Sequence, residues 1–299
     1  MTARISRREL AGLAAALWLT PPALAQEKAA PLITRAIPST GERIPAVGLG
    51  TANVFDSDSE PARRAATQVV RTLVGAGGRL IDTASSYGDA ESVLGAVVAT
   101  QGLRDKIFIA TKLEAPDAAE LERSEARLKM ARLDLLQLHN VSDPKQSLAS
   151  FRAWKAQGLC RYIGITSTFH GDFAAVEAVL GRERPDFVQI DYSLDDRIAE
   201  RRILPLAAEV KAAVLTAQPF GRGRLFRAVR GKAIPAWANG VADNWAQFFL
   251  KFLLADERVT AVIPGTSDPK HMADNITAMH GRLPDPDQRK RMVAFVESL

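Results

Sequence analysis

Eight short apolar runs alternate with longer stretches of helical periodicity from residue 46 onward, and this alternation constrains the fold more than any other feature of the chain. Most of the runs are spaced by about 25 to 30 residues, the length of one strand–helix–strand repeat. Such alternation is typical of parallel strands joined by right-handed crossover helices. We therefore predict an α/β protein with a (β/α)8 TIM barrel. The predicted strands cover residues 46–49, 80–81, 107–110, 133–138, 162–165, 187–190, 213–215 and 259–263.

The length of the chain suits a single barrel domain. It has 299 residues, 47% of them hydrophobic, and one barrel typically needs about 250. We assign residues 26–299 to the barrel. We predict an N-terminal β-hairpin, formed by residues 33–37 and 43–45, that plugs the barrel floor. We also predict an extra C-terminal helix over residues 287–299. Helix starts are expected at Pro61, Asp117, Pro144 and Pro269.

Residues 1–25 have the pattern of an export signal. Arg7 and Arg8 precede an apolar stretch over residues 10–19, and a small-x-small cleavage pattern follows at residues 23–25. The stretch is shorter than the roughly 20 residues of a membrane span. The segment resembles a twin-arginine signal, which implies a periplasmic protein without a stable membrane anchor after cleavage. The alternatives are a short amphipathic helix or a lipid-contacting anchor, and without export the protein would be cytoplasmic.

Charge and cysteine content exclude several classes of partner and site. The formal net charge is +5, and no run of basic residues interleaves with aromatics as in a nucleic-acid groove. Cys160 is the single cysteine, so an internal disulfide, a CxxC motif and a thiolate metal cage are all excluded. We expect a small-molecule partner, no nucleic acid and no metal site. The oligomeric state stays open, and a monomer is favoured.

Polar residues or glycine follow each apolar run at once, which marks the carboxyl ends of the predicted strands. In (β/α)8 enzymes this rim carries the active site, while branched apolar side chains fill the interior. Asp82, Lys112 and His139 stand at three strand ends, and Tyr87 lies in the loop after Asp82. Burial of a lysine ammonium costs free energy unless an opposite charge pairs with it, and Asp82 is the nearest carboxylate on the rim. We expect these four side chains to converge.

Their convergence would suit acid–base catalysis at a carbonyl group. A phenol exchanges its proton poorly near neutral pH because its pKa is about 10. The ammonium of Lys112 would favour the phenolate of Tyr87 and lower that pKa. Asp82 would hold Lys112 charged, and His139 would bind the substrate oxygen or relay the proton. Reduction of a carbonyl group adds a proton to its oxygen and a hydride to its carbon. Because proteins have no hydride donor, a nicotinamide cofactor is needed.

Several segments resemble the aldo-keto reductase family. Residues 80–88 look like the signature that holds its catalytic Asp and Tyr, and residues 109–112 and 135–140 look like its lysine and histidine strands. Residues 48–51 and 263–267 also match, within a resemblance that runs from about residue 34 to 278. The resemblance implies that the protein is an NAD(P)H-dependent oxidoreductase that binds its cofactor before an aldehyde or ketone. It also implies that the catalytic residues are Asp82, Tyr87, Lys112 and His139.

The resemblance also implies a set of cofactor contacts, with some departures from the usual family residues. Ser167 lacks the amide of the usual Asn, and Ala217 replaces a stacking aromatic, a role left to Phe220. Asp268 and His271 stand where a Lys or Arg would make a preference for NADP clear. The resemblance to the family therefore favours NADP as the cofactor, and NAD is the alternative. The expected contacts are Gly50, Thr51, Asp82, Thr166, Ser167, Gln189, Phe220, Arg222, Thr266, Ser267, Lys270, His271 and Asn275.

Two other functions compete with carbonyl reduction. The first is a nicotinamide-binding redox sensor or regulatory subunit that keeps the site but turns over negligibly. The second is a lyase with a Schiff base on Lys112, which is disfavoured because Asp82 would keep that lysine protonated and unreactive.

Overall fold

The structure is a computed structural model that describes residues 31–299. The predicted export signal, residues 1–25, lies outside the described residues and stays a prediction. Within residues 31–299, no helix combines the length and the apolar character that crossing a membrane requires.

Eight parallel strands form the central sheet, and their order in the sheet is the same as their order along the chain. Parallel bridges from Val47 to Val262 and from Gly50 to Gly265 join the first of these strands to the last. The predicted (β/α)8 barrel is confirmed. The strands are the hairpin β1 (Thr34–Ala36) and β2 (Arg43–Pro45), then β3 (Leu49–Gly50), β4 (Leu80–Asp82), β5 (Phe108–Leu113), β6 (Leu133–Leu138), β7 (Cys160–Ser167), β8 (Phe187–Asp191), β9 (Ala213–Ala217) and β10 (Ala261–Val262).

Helices surround the sheet, and their caps explain several boundaries. The Ser59 side chain caps the first helix, Asp117 caps the third and Asp268 the ninth, each by accepting a backbone N–H. The helices of the described residues are α1 (Glu60–Gly75), α2 (Ala90–Gln101), α3 (Ala118–Leu128), α4 (Ala149–Ala156), α5 (Phe173–Glu183), α6 (Ile203–Val210), α7 (Arg224–Ala228), α8 (Trp245–Leu254), α9 (Pro269–Thr277) and α10 (Pro286–Glu297).

The barrel interior is layered because alternate strand residues point inward. Phe108, Tyr162 and Phe187 pack against one another in its lower part, with ring centroids 5.6 to 6.1 Å apart. Ile37 and Ile44 of the hairpin are completely buried against the same cluster. The hairpin therefore plugs the barrel floor, as the sequence predicts.

One predicted helix start is wrong. Pro144 lies in a turn, and α4 begins at Ala149. The turn has its own hydrogen bond, in which the backbone N–H of Lys145 donates to the Asp143 carboxylate at 2.8 Å. The Asp143 carboxylate therefore stabilises a turn at Pro144, where the sequence predicted the start of a helix.

Candidate active site

Three strand ends and one loop bring the four predicted catalytic side chains to the upper end of the barrel. Asp82 ends β4, Lys112 lies near the end of β5, and His139 follows β6 directly. Tyr87 lies in the loop between β4 and α2. All four line one cavity of about 580 Å³.

Lys112 and Asp82 form an ion pair inside the barrel. The Lys112 Nζ donates to Asp82 Oδ2 at 2.7 Å and to the Thr83 carbonyl at 2.7 Å. The residues are only 1% and 3% exposed. Burial by itself lowers the pKa of Lys112, but the charges and hydrogen bonds of Asp82 and Tyr87 outweigh it and raise that pKa. Lys112 is thus held as an ammonium.

Two glutamines complete the hydrogen bonding of Asp82. The amide of Gln137 donates to Gln189 Oε1 at 3.0 Å and to Asp82 Oδ1 at 3.5 Å, and Gln189 Nε2 donates to Asp82 Oδ2 at 3.4 Å. Gly164 makes room, because a Cβ there would lie 3.0 Å from Gln137 Cγ. Gln137 was not among the predicted site residues, although a polar residue inside the apolar strand β6 could have indicated it.

Tyr87 lies beside the ammonium of Lys112, whose Nζ is 5.0 Å from the phenol ring centroid. Desolvation by burial raises the pKa of Tyr87, the charge of Lys112 lowers it, and the charge of Asp82 raises it again. The net direction is upward. Lys112 lowers the pKa of Tyr87 as expected, but burial and the charge of Asp82 outweigh it, so the expected net decrease is wrong. Tyr87 stays a protonated phenol, the form that an acid requires.

His139 contacts Tyr87 on one side and Glu114 on the other. The two rings meet edge to face, with centroids 5.7 Å apart. His139 Nδ1 lies 2.5 Å from Glu114 Oε1. Burial and the charge of Lys112 lower the pKa of His139, although Glu114 opposes this shift. Glu114 was missed at the sequence level, although it is two residues beyond Lys112 and so continues the same alternation.

Several of the predicted cofactor contacts line the cavity that holds the four catalytic candidates. Thr166 and Gln189 lie deep in it, with 1% and 3% exposure. The Thr166 Oγ1 accepts the Asn140 N–H at 3.1 Å, so its own hydrogen is free to donate. The lining includes five of the predicted contacts besides Asp82, namely Gly50, Thr166, Gln189, Phe220 and Arg222.

A second cavity of about 350 Å³ adjoins the first, and the two share Phe220 and Gly265 in their linings. Aromatic rings form one side of it, where Phe226 packs against Phe220 with ring centroids 4.8 Å apart. Its polar lining includes three more of the predicted contacts: Thr266, His271 and Asn275.

Four predicted contacts do not line either cavity. Thr51 and Ser167 are completely buried, and Ser167 donates to the Asp172 carboxylate at 3.1 Å. Ser167 follows Thr166 in β7, so the two side chains leave opposite sides of the strand. Ser267 and Lys270 are exposed beside the start of α9.

The loop over residues 221–224 borders the first cavity with a basic side chain. Arg222 donates through Nε to Gln218 Oε1 at 2.7 Å, and Arg224 donates to Asp195 Oδ2 at 2.8 Å. Gly221 has a φ of +56°, and a Cβ there would lie 2.6 Å from Asp195 Oδ1. Glycine is required for this loop to pack on Asp195.

Comparison with known proteins shows the family to which the chain belongs. Residues 46–296 match the aldo/keto reductase family. An aldo-keto reductase from Mycolicibacterium smegmatis is 28% identical over 244 residues, which are 78% of this chain and 81% of that protein. The methylglyoxal reductase YeaE of Escherichia coli is 28% identical over 254 residues, covering 80% of this chain and 87% of that protein.

Solved structures show the same fold. An aldo-keto reductase from Klebsiella pneumoniae, crystallised with NADPH, superposes with a TM-score of 0.75 at 23% identity, over 89% of this chain and 96% of that chain. The thermostable aldo-keto reductase Tm1743, in complex with the inhibitor epalrestat, gives a TM-score of 0.74 at 24% identity, over 88% and 99%.

Proposed function

Because the chain belongs to the aldo/keto reductase family, and is therefore an oxidoreductase, we propose that it reduces an aldehyde or ketone to an alcohol with NADPH. One observation carries the proposal: the phenol of Tyr87 lies beside the buried Lys112–Asp82 pair in a cavity that all three residues line. A neutral phenol next to a fixed ammonium is suited to give a proton to a developing alkoxide.

The two adjoining cavities fit a dinucleotide cofactor. The first offers the free hydroxyl hydrogen of Thr166 and the carboxamide of Gln189 for a nicotinamide carboxamide, with Arg222 at its edge for a phosphate. The second offers Thr266, His271 and Asn275 beside aromatic rings, which suits an adenosine. A nicotinamide cofactor supplies the hydride when it is bound.

The roles of the protein groups follow from their contacts. Tyr87 donates its proton to the carbonyl oxygen as negative charge develops there. Lys112 stabilises the resulting phenolate, because its ammonium is buried, where the attraction between opposite charges is stronger than in water. Asp82 is a positioning residue that holds Lys112 charged, and His139 contacts the edge of the phenol ring.

The test compares the native protein with Tyr87→Phe and the matched control Tyr162→Phe. Oxidation of NADPH is followed with aldehydes and ketones that include methylglyoxal, the substrate in the name of the E. coli relative. We expect Tyr87→Phe to lose about 10²- to 10⁴-fold in kcat with NADPH affinity retained. Tyr162 lies at the barrel floor, where its hydroxyl contacts Thr40 and Glu42, so the control should keep its activity.

Two outcomes would contradict the proposal. Native turnover in Tyr87→Phe would remove Tyr87 from the mechanism. Tight NADPH binding by the native protein without turnover of any carbonyl compound would favour the redox sensor.

We further propose that residues 1–25 direct export to the periplasm. The support is the sequence pattern of Arg7 and Arg8 ahead of the apolar stretch. Replacement of both arginines by lysine should leave the protein in the cytoplasm on cell fractionation, whereas a periplasmic double variant would contradict a twin-arginine route.

A further inference from the structure

Three side chains that can bind a metal ion meet beside the carboxyl end of β8, outside the proposed active site. His170 lies in the loop after β7, Asp191 ends β8, and Asp196 lies in the loop after β8. One imidazole nitrogen and one oxygen of each carboxylate lie within 4.8 Å of one another. None of the three residues lines either of the two cavities described above, so the cluster is separate from the catalytic side chains.

Asp191 is the member of this cluster whose charge has no partner. Its residue is 8% exposed, and no group in the described part of the chain donates a hydrogen bond to its carboxylate. The two arginines whose charges act on Asp191 make their hydrogen bonds elsewhere: Arg224 donates to Asp195 at 2.8 Å, and Arg222 donates to Gln218 at 2.7 Å. A buried carboxylate without a partner costs free energy, so the cluster lacks a positive charge next to Asp191.

One imidazole and two carboxylates form a ligand set for a divalent cation such as Zn²⁺, and the two negative charges balance the charge of the ion. Ligand atoms that share one Zn²⁺ ion lie about 3 to 4 Å apart. His170 Nε2 and Asp196 Oδ2 already meet this condition, at 3.0 Å. The His170 side chain is 40% exposed, so it is free to make the small rotation that brings all three ligand atoms to one ion.

We propose that His170, Asp191 and Asp196 bind one divalent cation of the zinc type, which connects the loop after β7 to the loop after β8. The ion supplies the positive charge that Asp191 lacks, and water completes its coordination. Thr168 and Phe169, just before His170, line the first cavity, so the ion fixes part of the wall of that cavity without contact with the reacting groups. This site departs from the expectation of no metal site. The exclusion of a thiolate cage does not apply to nitrogen and oxygen ligands.

The test is calorimetric titration of the full chain with Zn²⁺, after treatment with EDTA and dialysis. We expect the native protein to bind one equivalent, and its thermal midpoint to rise with Zn²⁺ because the ion binds the folded state. Asp191→Asn and His170→Gln should each weaken binding at least about 10-fold, since even the loss of a residue that supports a metal ligand has an effect of this size. Asp287→Asn removes an exposed carboxylate on α10 and is the matched control, with native affinity.

A second control tests the other place where a histidine lies beside a carboxylate, which is His139 with Glu114 in the first cavity. His139→Asn should bind Zn²⁺ as the native protein does. Loss of binding in His139→Asn together with native affinity in Asp191→Asn would overturn the proposal, as would equal affinity in all variants or a native protein that binds no Zn²⁺. Asp191→Asn keeps the comparison decisive if His170→Gln fails to fold, because it removes an unpaired buried charge and should leave the metal-free protein at least as stable as the native chain.

Discussion

The ammonium of Lys112 donates to the carboxylate of Asp82 at 2.7 Å, where neither side chain is more than 4% exposed. Two opposite charges in such a place compensate each other's desolvation, and removal of one leaves the other buried and unpaired. The stability of the barrel and the acidity of Tyr87 therefore depend on the same pair.

Removal of Lys112 should cost stability that a second substitution restores. We expect Lys112→Met to lower the free energy of unfolding by about 3 to 5 kcal/mol, because Asp82 stays as an unpaired buried charge. The double variant Asp82→Asn/Lys112→Met should recover most of this loss but no activity. Urea denaturation and carbonyl reduction measure the two effects, with the exposed Lys145→Met as control. A double variant no more stable than Lys112→Met would show that the charge of Asp82 is not the cause.

The two directions of the reaction should depend on pH in opposite ways. Burial raises the pKa of Tyr87 above its ordinary value of 10.0, although Lys112 opposes the shift. Reduction needs the phenol, so its kcat/KM should stay level as pH rises and fall only above that pKa. Oxidation of the alcohol needs the phenolate and should increase with pH over the same range. If kcat/KM for reduction falls well below pH 10, and this fall is absent from the residual activity of Tyr87→Phe, the pKa of Tyr87 is not raised.

Strands were easier to predict than the contacts between them. β6 has its predicted bounds, because its apolar run is long and ends at His139. β10 was expected over residues 259–263 but forms only Ala261–Val262, since the barrel closes there through single bridges that leave no local pattern in the sequence. The periodicity of apolar residues shows which face of a strand or helix is buried. The register between neighbouring strands determines which residues that face contacts, and periodicity does not show it.

Register also separates the site residues that the sequence predicted from those that it did not. Asp82 and Lys112 were predictable because an apolar strand that ends in a charge needs a partner nearby. Glu114 and Gln137 acquire their roles from neighbours in the adjacent strands, through hydrogen bonds that depend on register. The raised pKa of Tyr87 likewise depends on how deeply the ring is buried, which spacing in the sequence does not reveal.

The choice between NADPH and NADH should depend on the start of α9. Asp268 accepts the Lys270 N–H at 2.7 Å, which places a negative charge at the helix N-terminus where a phosphate would bind. Lys270→Ala should weaken NADPH binding by about 1.5 kcal/mol, at the lower end for a charged contact because Lys270 is exposed, and scarcely change NADH binding. Fluorescence titration measures both affinities.

A substitution at Asp268 provides the complementary test of cofactor choice. Asp268→Asn keeps an oxygen that caps α9 and removes the charge, so it should strengthen NADPH binding and leave NADH binding unchanged. Lys290→Ala, on an exposed part of α10, is the control for a general loss of positive charge. Equal losses for both cofactors in Lys270→Ala would show that this lysine does not contact the 2′-phosphate.

Asp191, at the end of β8, should make the protein less stable as pH rises. Burial and the charge of Asp196 raise the pKa of Asp191 from 3.8 to about 6, while His170, Arg222 and Arg224 oppose the shift. Between these two values the folded chain binds more protons than the unfolded chain, so this carboxyl's contribution to stability is present below pH 4 and lost by about pH 6.

Asp191→Asn removes that titration and should stabilise the protein at pH 7.5 by up to about 3 kcal/mol, from a shift of about two pKa units, and by little at pH 4. Urea denaturation at both pH values measures the difference. Asp256 is an opposite control: burial would raise its pKa, but hydrogen bonds from Arg258 lower it, so Asp256→Asn should destabilise the protein at pH 7.5. If Asp191→Asn also destabilises the protein at pH 7.5, the Asp191 carboxylate has a favourable partner in the folded protein. Its pKa is then not raised by folding.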